Sequence, residues 1–495
     1  MAAPALSKMP DFSFLGTKLR AVYTQVVFIV LASGAGLVIG VAASQGTLGA
    51  VVIAVLLAGG ALALSAFSSP VLGLLALIVI TYLRLSDILV HYHHLPSIAK
   101  PLVALLLGLV IMRWALYREE PVGWPLPLAL ISAYAIVILL SLFFAANFNT
   151  AIGAVSDFIK DGIITVLVVM LFQKPEDFRK ATWALLFVGI YLGTLSVYQY
   201  LTGDFGNVYG GFAQAPVLNI VGESNQARIA GPIGDPNFYA QIMVTLVPLA
   251  LNRLFTERRI LWRLLALWAT VVITLTVFFT FSRGGFLALV VSLLALAWYY
   301  RPSLPQIAVF ALLGLALLPF LPAEYTARLS TLTNFLPGQG DVRNEVSFRG
   351  RTSEWIVAGL MFADHPLFGV GIRNYPEHYL DYSSRLGLDP RRENREPHSF
   401  YLEIAAESGL AGLLVFTVIF GYLYRSIKTA RQTFEKASAA DEVALTVAFG
   451  AAMLAYLSAA TFIHGAYPRY FWLLLGIGLA LPQAAQALLE RQNER

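Results

Sequence analysis

The sequence predicts an all-α integral membrane protein, a polytopic bundle of about 12–14 transmembrane helices with a large, partly helical periplasmic or extracellular loop. Hydrophobic residues make up 58% of the chain and charged residues 13%, whereas about a quarter of the residues in a soluble domain are charged. Apolar runs of about 18 or more residues recur along most of the length. One polar stretch, residues 323–399, interrupts them, and a loop of that length is usually functional or locally folded.

The apolar segments are the first element of this prediction. The first segment follows Lys8, Lys18 and Arg20 and is longer than the core of a signal peptide, so we expect it to be retained as a transmembrane helix. About fourteen segments have spanning or near-spanning length; they centre on residues 22–43, 47–66, 70–85, 100–117, 126–146, 156–172, 179–201, 236–255, 260–281, 284–300, 304–322, 400–425, 442–463 and 468–488.

The positive charges predict the orientation of the bundle. With the N-terminus inside, Lys and Arg concentrate in the short inner loops, as expected for loops that remain in the cytoplasm. We therefore expect both termini in the cytoplasm, and we attribute the net charge of +5 to topology and not to nucleic-acid binding. The chain has no cysteine, which excludes disulfides and thiolate metal sites.

Three regions form one predicted membrane unit. Residues 1–322 are an N-terminal transmembrane bundle with an outer loop at 202–235, residues 323–399 are a large outer loop that acts as a lid, and residues 400–495 are the C-terminal transmembrane helices. Within the lid, the caps and apolar spacing of residues 352–363 predict an amphipathic helix lying on the bundle or membrane surface. All seven histidines also fall on the outer side.

Arginines and a histidine occur where predicted helices begin or end on that side. Arg228 precedes the helix that starts near Pro236, and Arg283 lies in the turn between two spans. His398 lies where the lid re-enters the membrane, and Arg351 lies within the lid. The fork of donors on arginine suits a phosphate or pyrophosphate, and a nearby histidine can take a proton from an attacking hydroxyl. The set predicts a site for glycosyl transfer from a lipid pyrophosphate.

Several of these residues also have a purely structural interpretation. An arginine at the interface, such as Arg283, often extends toward lipid headgroups. Asp235 and Asn237 stand at a helix start, where capping alone can explain them. His398 follows a proline and can serve only to hydrogen-bond the loop. Both interpretations remain open at this point.

Other polar residues leave further alternatives. Carboxylates are costly inside a span, so Glu403 and Glu407 suggest a function unless they lie close enough to the surface to be hydrated. The run His91-Tyr92-His93-His94 can bind a metal, although no cluster of carboxylates accompanies it. We therefore expect no metal site.

The order of the motifs resembles the O-antigen ligase and O-antigen polymerase superfamily. The resemblance covers about residues 200–425, less than half of the chain, and the N-terminal helices resemble the family only in hydropathy. The motifs are Arg228…Gly231…Asp235-Pro236-Asn237, Ser282-Arg283-Gly284-Gly285, Gly350-Arg351…Trp355…Pro366…Gly369-Val370-Gly371, and His398-Ser399-Phe400-Tyr401-Leu402…Glu407-Ser408-Gly409-Leu410.

The resemblance implies a GT-C-type glycosyltransferase in the bacterial cytoplasmic membrane, with its active site on the periplasmic or extracellular side. By the same resemblance, its partners would be an undecaprenyl-pyrophosphate-linked glycan and an acceptor hydroxyl on a glycan, lipid or protein. Transfer would be inverting and would need neither metal nor cofactor. His398 would activate the acceptor, and Arg228, Arg283 and Arg351 would hold the pyrophosphate. The family often has Asn where this chain has Ser399. Possible supporting residues are Asp235, Asn237, Ser282, Ser399, Tyr401, Glu403 and Glu407.

Several functions compete at this stage. A ligase, a polysaccharide polymerase and an O-linking protein oligosaccharyltransferase share one constellation, so the sequence does not choose the acceptor. A solute transporter of the bicarbonate type is a second class, but transporters usually place polar residues near the midplane, and here the charged residues crowd the outer ends. A structural scaffold for envelope assembly would leave the arginine-rich loop unexplained.

Overall fold

The computed structural model describes residues 66, 69–118, 120–218, 226–305, 308, 312, 346–387, 393–465 and 468–494. The predicted spans 22–43, 47–66 and 304–322 lie wholly or mostly outside these ranges. Within them, fourteen α-helices account for most residues: α1 Pro70–Tyr82, α2 Leu85–His93, α3 Ala99–Tyr117, α4 Pro125–Ser141, α5 Phe148–Leu171, α6 Pro175–Thr202, α7 Pro236–Thr256, α8 Ile260–Phe279, α9 Arg283–Tyr300, α10 Val346–Asp364, α11 Tyr375–Leu386, α12 Phe400–Lys436, α13 Ala440–Ala459 and α14 Pro468–Asn493.

Most of these helices can cross a membrane. In the described part of the chain, nine are long and apolar enough to do so, and the pair α1 and α2, bent by 54°, can form a tenth span. Helix α5 has 24 residues but also carries Asp157, Lys160 and Asp161; Asp161 is buried and pairs with Arg469 of α14 at 3.0 Å. The predicted class, an all-α polytopic membrane protein, is confirmed. The described strands are only β1 Val217–Leu218 and β2 Gln226–Ala227, which form a short antiparallel pair.

Helix α7 lies at the centre of the described bundle. Nearly all of its side chains are buried, and it packs against α8 and α13 over much of its length. Helix α12 packs on α14 in a similar way. The residues that begin α7 and α12 are therefore held by surrounding helices, which allows side chains at these two starts to be positioned accurately.

Helix α12 is broken at Gly409, and the lid fills the break. Gly409 has φ +63° and ψ −159°, and a Cβ there would lie 2.5 Å from the carbonyl carbon of Leu367. The backbone groups around the break bond the segment 366–371: Val370 N to Ala406 O, Gly371 N to Glu407 O, Leu410 N to Pro366 O, and Ala411 N to Leu367 O. The predicted span 400–425 is thus divided into two helical pieces. The non-helical backbone at Gly409 is tolerated within the bundle because the segment 366–371 supplies hydrogen-bond partners.

The lid has a small hydrophobic core of its own. The predicted amphipathic helix at 352–363 lies inside α10, which packs against α11 and α12. The buried face of α10 packs against side chains from the residues that follow α10 and from α12. The cluster consists of Val357, Ala358, Met361, Val370, Tyr375, Tyr379 and Ala406. This packing fixes α10 relative to the start of α12, where His398 lies.

Candidate functional site

Arg228 is held between the end of α8 and the start of α7. Its side chain is buried, with Nε donating to the carbonyl oxygen of Thr280 at 2.8 Å and Nη2 to Oδ1 of Asn237 at 3.1 Å. The next residue, Ile229, donates its backbone N–H to Phe279 O at 3.2 Å. The guanidinium is therefore oriented by two elements of the bundle.

The start of α7 assigns different roles to its two polar residues. Asp235 caps the helix, because its Oδ1 accepts from the N–H groups of Asn237 at 2.7 Å and Phe238 at 3.1 Å. The side chain of Asn237 instead accepts from Arg228. Capping therefore explains Asp235, whereas Asn237 also orients the arginine predicted to bind pyrophosphate.

Arg283 is the first residue of α9. It lies three residues after Thr280, whose carbonyl oxygen accepts from Arg228. Ser282 caps this helix by accepting from Gly285 N at 3.2 Å, and its own N–H donates to Thr280 Oγ1 at 3.2 Å. A Cβ on Gly285 would lie 2.7 Å from Cβ of Ala240 in α7. The glycine thus lets α9, which begins at Arg283, start close against α7.

His398 lies on the return of the lid with its Nδ1 facing two acceptors. The backbone is left-handed, with φ +40°, and the side chain is partly exposed. Nδ1 is 3.0 Å from the carbonyl oxygen of Glu396 and 2.9 Å from Oε2 of Glu354. Because both neighbours are acceptors, the proton belongs on Nδ1 and Nε2 is the basic nitrogen.

Glu354 is a member of this site that the sequence analysis missed. It is fully buried on α10, and its Oε1 lies 2.7 Å from Nε of Arg395. A signal for it did exist in the sequence. Glu354 is the only charged residue of the predicted helix 352–363 and shares a face with Ala358 and Met361, which are buried. A lone carboxylate on an apolar face needs a partner.

His464 connects the two halves of the site and was also missed. Its ring lies between Phe238 of α7 and His398, with centroid distances of 5.1 and 5.6 Å and edge-on geometry on both sides. Burial lowers its pKa to about 3, and the neighbouring side chains of His398 and Arg373 disfavour its charged form further. The imidazole is therefore neutral at ordinary pH. Through Phe238 and its neighbour Asn237, the contacts run from the arginine region to the histidine at the lid.

The predicted supporting residues of α12 mainly hold backbone. Tyr401 donates its hydroxyl to Leu457 O at 2.9 Å, and Glu403 accepts from the N–H of Gly465, beside His464. Glu407 is buried and accepts from the N–H groups of Arg373 at 2.7 Å and Tyr375 at 3.1 Å. Ser399 is a buried N-cap residue. The two carboxylates thus fix loops around the site, so surface hydration does not explain them.

Three other features of the described chain bear on the predicted site: Arg351, the histidines of α2 and a cavity. Arg351 is on α10, three residues before Glu354, and is half-buried. His91 and His93 are at the end of α2, and over the described ranges no three His, Asp or Glu side chains are grouped to hold a metal ion. A cavity of about 640 Å³ lies elsewhere, lined by residues such as Arg113, Lys174 and Arg491, and contains none of the predicted site residues.

One comparison with known proteins bears on this arrangement. Residues 268–417 match a family model described as O-Antigen ligase. The matched segment includes Arg283, Glu354 and His398 but not Arg228. The match supports the O-antigen ligase superfamily, as the motifs predicted, and with it a multi-pass, glycosyltransferase-like membrane enzyme that uses lipid-linked glycans and acceptors in general. No curated protein matches the chain.

Proposed function

We propose that the chain is a glycosyltransferase that moves a glycan from an undecaprenyl-pyrophosphate donor to an acceptor hydroxyl at the outer face of the bacterial cytoplasmic membrane. The observation that carries the proposal is the continuity of contacts from Arg228 and Asn237, through Phe238 and His464, to His398. The family match over residues 268–417 supports the reaction class. The distribution of Lys and Arg supports the orientation.

The arginines are suited to the donor side. Arg228 is fixed by Thr280 and Asn237, so its guanidinium is already oriented before any ligand arrives. Arg283 starts α9, where the positive end of the helix dipole also favours an anion. Both would stabilise the negative charge that grows on the pyrophosphate as its bond to the sugar breaks.

His398 is suited to the acceptor side. In the proposed step, Nε2 takes the proton of the acceptor hydroxyl while its oxygen attacks the anomeric carbon. The bond from that carbon to the pyrophosphate oxygen breaks in the same step, so undecaprenyl pyrophosphate leaves and the anomeric configuration inverts. This displacement reaction needs no oxidant, reductant or cofactor. Burial lowers the pKa of His464 and makes it a weak base, which leaves His398 as the proton acceptor of the pair.

The acceptor defines the branch of the reaction. A lipid A core would make the protein a ligase, a second lipid-linked repeat unit would make it a polymerase, and a serine or threonine of a protein would make it an O-linking oligosaccharyltransferase. Each supplies a hydroxyl to the same base. We favour ligase or polymerase activity, with the protein acceptor as the alternative.

The test uses the purified full chain with a lipid-linked oligosaccharide and each class of acceptor. We expect release of undecaprenyl pyrophosphate together with a glycosylated acceptor, and the nature of the product identifies the branch. A transporter would instead move solute across a vesicle membrane without cleaving the donor. Uptake without cleavage would overturn the proposal.

A further inference from the structure

We infer that Glu354 is a positioning residue for His398, which holds the base in the reactive tautomer and stabilises its charged form during transfer. The inference rests on the proposed function, because it deepens the role of His398 in that reaction. Glu354 lies 44 residues earlier in the chain, on α10, so the pair exists only when the lid is folded against the start of α12.

The carboxylate of Glu354 lies between the side chains of Arg395 and His398. Glu354 is fully buried, and its two oxygens face different partners: Oε1 lies 2.7 Å from Nε of Arg395, and Oε2 lies 2.9 Å from Nδ1 of His398. Its own carbonyl oxygen accepts from the hydroxyl of Tyr375 at 2.7 Å. The backbone is therefore fixed by a hydrogen bond. The carboxylate lies at ion-pair distance from both nitrogens, but neither of its oxygens makes a hydrogen bond of regular geometry with a described residue, and the hydrogen bond of Nδ1 goes to the carbonyl oxygen of Glu396.

Such a buried charge requires an explanation. An ionised carboxylate without partners is strongly destabilising inside a protein. Arg395 alone can compensate the charge of Glu354, and one salt bridge would suffice for a structural role. The second contact points at the nitrogen of His398 that is not available for catalysis. A carboxylate at this nitrogen keeps the proton on Nδ1 and favours the imidazolium that forms when Nε2 accepts a proton.

Replacing the carboxylate by an amide creates a specific conflict. Arg395 offers only donors, so the oxygen of a glutamine at position 354 must turn toward it. Its NH₂ group then faces Nδ1, which already carries a proton directed at acceptors. The variant therefore raises the share of the tautomer with hydrogen on Nε2, against the carbonyl oxygen of Glu396, which still accepts from Nδ1. In that tautomer Nε2 cannot accept a proton from the acceptor hydroxyl.

The experiment compares Glu354→Gln with Glu354→Asp and Ser353→Ala. Ser353 is the matched control, because it is buried on the same helix and bonds Tyr379 at 3.0 Å without a contact to His398 in the structure. We expect Glu354→Gln to lower kcat on the order of 10³-fold, less than the roughly 10⁴-fold loss when the carboxylate of a serine-protease triad becomes an amide. The donor KM should change by less than about threefold. Glu354→Asp should recover part of kcat, and Ser353→Ala should keep it near the native value.

A second measurement does not depend on activity. ¹⁵N spectra of histidine-labelled protein, assigned with His398→Ala, report which ring nitrogen carries the proton. We expect hydrogen on Nδ1 of His398 in the native protein and a larger fraction on Nε2 in Glu354→Gln. If the native protein transfers no glycan, the proposed function fails, and the spectra still decide the pairing. An unchanged kcat or an unchanged tautomer in Glu354→Gln would overturn the inference.

Discussion

The guanidinium of Arg228 donates to the side-chain oxygen of Asn237 at 3.1 Å, and so a loop residue and the first turn of the most buried helix are joined. Asp235, two residues earlier, makes only the capping bonds of that helix in the described contacts. Two neighbouring polar residues therefore serve different purposes.

Asn237→Ala should weaken donor binding more than it weakens the fold. Without the side-chain oxygen of residue 237, Nε of Arg228 still donates to the carbonyl oxygen of Thr280, but Nη2 loses the hydrogen bond that orients it. We expect the donor KM to rise about tenfold, the loss of roughly one hydrogen bond to a charged group. Asp235→Ala is the matched control and should lower stability by about 1 kcal/mol with little change in KM. Equal effects of the two variants on KM would contradict the assignment.

Arg283→Lys should impair transfer severely, because a point charge cannot replace a planar fork of donors on pyrophosphate. We expect kcat/KM to fall about a hundredfold, measured as release of undecaprenyl pyrophosphate. Arg301 caps the opposite end of the same helix and is exposed, so Arg301→Lys serves as the control and should remain active. A fully active Arg283→Lys would show that Arg283 only extends toward lipid headgroups.

Gly409→Ala should destabilise the protein and loosen the lid. The left-handed backbone and the 2.5 Å approach of a Cβ to Leu367 leave no room for a side chain. We expect a loss of about 2 kcal/mol or more, seen as a lower thermal midpoint in detergent. Gly421 lies on the same helix with open space around it, and Gly421→Ala should be neutral or slightly stabilising. If Gly409→Ala melted like the native protein, the break would not be essential.

His464 predicts a specific dependence of stability on pH. In the unfolded chain a histidine takes up a proton below its ordinary pKa of 6.5, whereas burial lowers the pKa of His464 in the folded protein to about 3. Its contribution to stability is therefore complete above pH 6.5 and is lost as the pH falls toward 3. We expect the thermal midpoint of native protein to fall more steeply than that of His464→Gln across this window. Parallel curves would contradict the assignment.

Local patterns were sufficient to predict most of the helices. Helix α7 was expected at 236–255 and is Pro236–Thr256, because Asp235-Pro236 is a strong start signal. Helix α5 was expected at 156–172 but begins at Phe148, where Asn147 caps it by accepting from Thr150 N at 3.1 Å. The first turns of α5 contain polar residues, so the pattern of apolar runs does not reveal that the helix begins there.

Contacts between distant segments could not be predicted in the same way. The apolar pattern runs through Gly409, and only hydrogen bonds from residues 366–371 reveal why the helix breaks there. Glu354 and His398 are likewise separated by 44 residues, and no local spacing links them. The sequence pointed to the arginines and to His398 one by one; the roles of Glu354 and His464 depend on how the lid and the loop after α13 pack.

The central claim is tested most directly by His398→Ala in the transfer assay, with His365→Ala as a control in the same lid. The measurement is the rate at which purified protein releases undecaprenyl pyrophosphate and glycosylates an acceptor, with thermal unfolding recorded for each variant. We predict that His398→Ala remains folded and loses transfer by about 10³-fold or more, while His365→Ala remains active. Transfer at the native rate by folded His398→Ala would contradict the account.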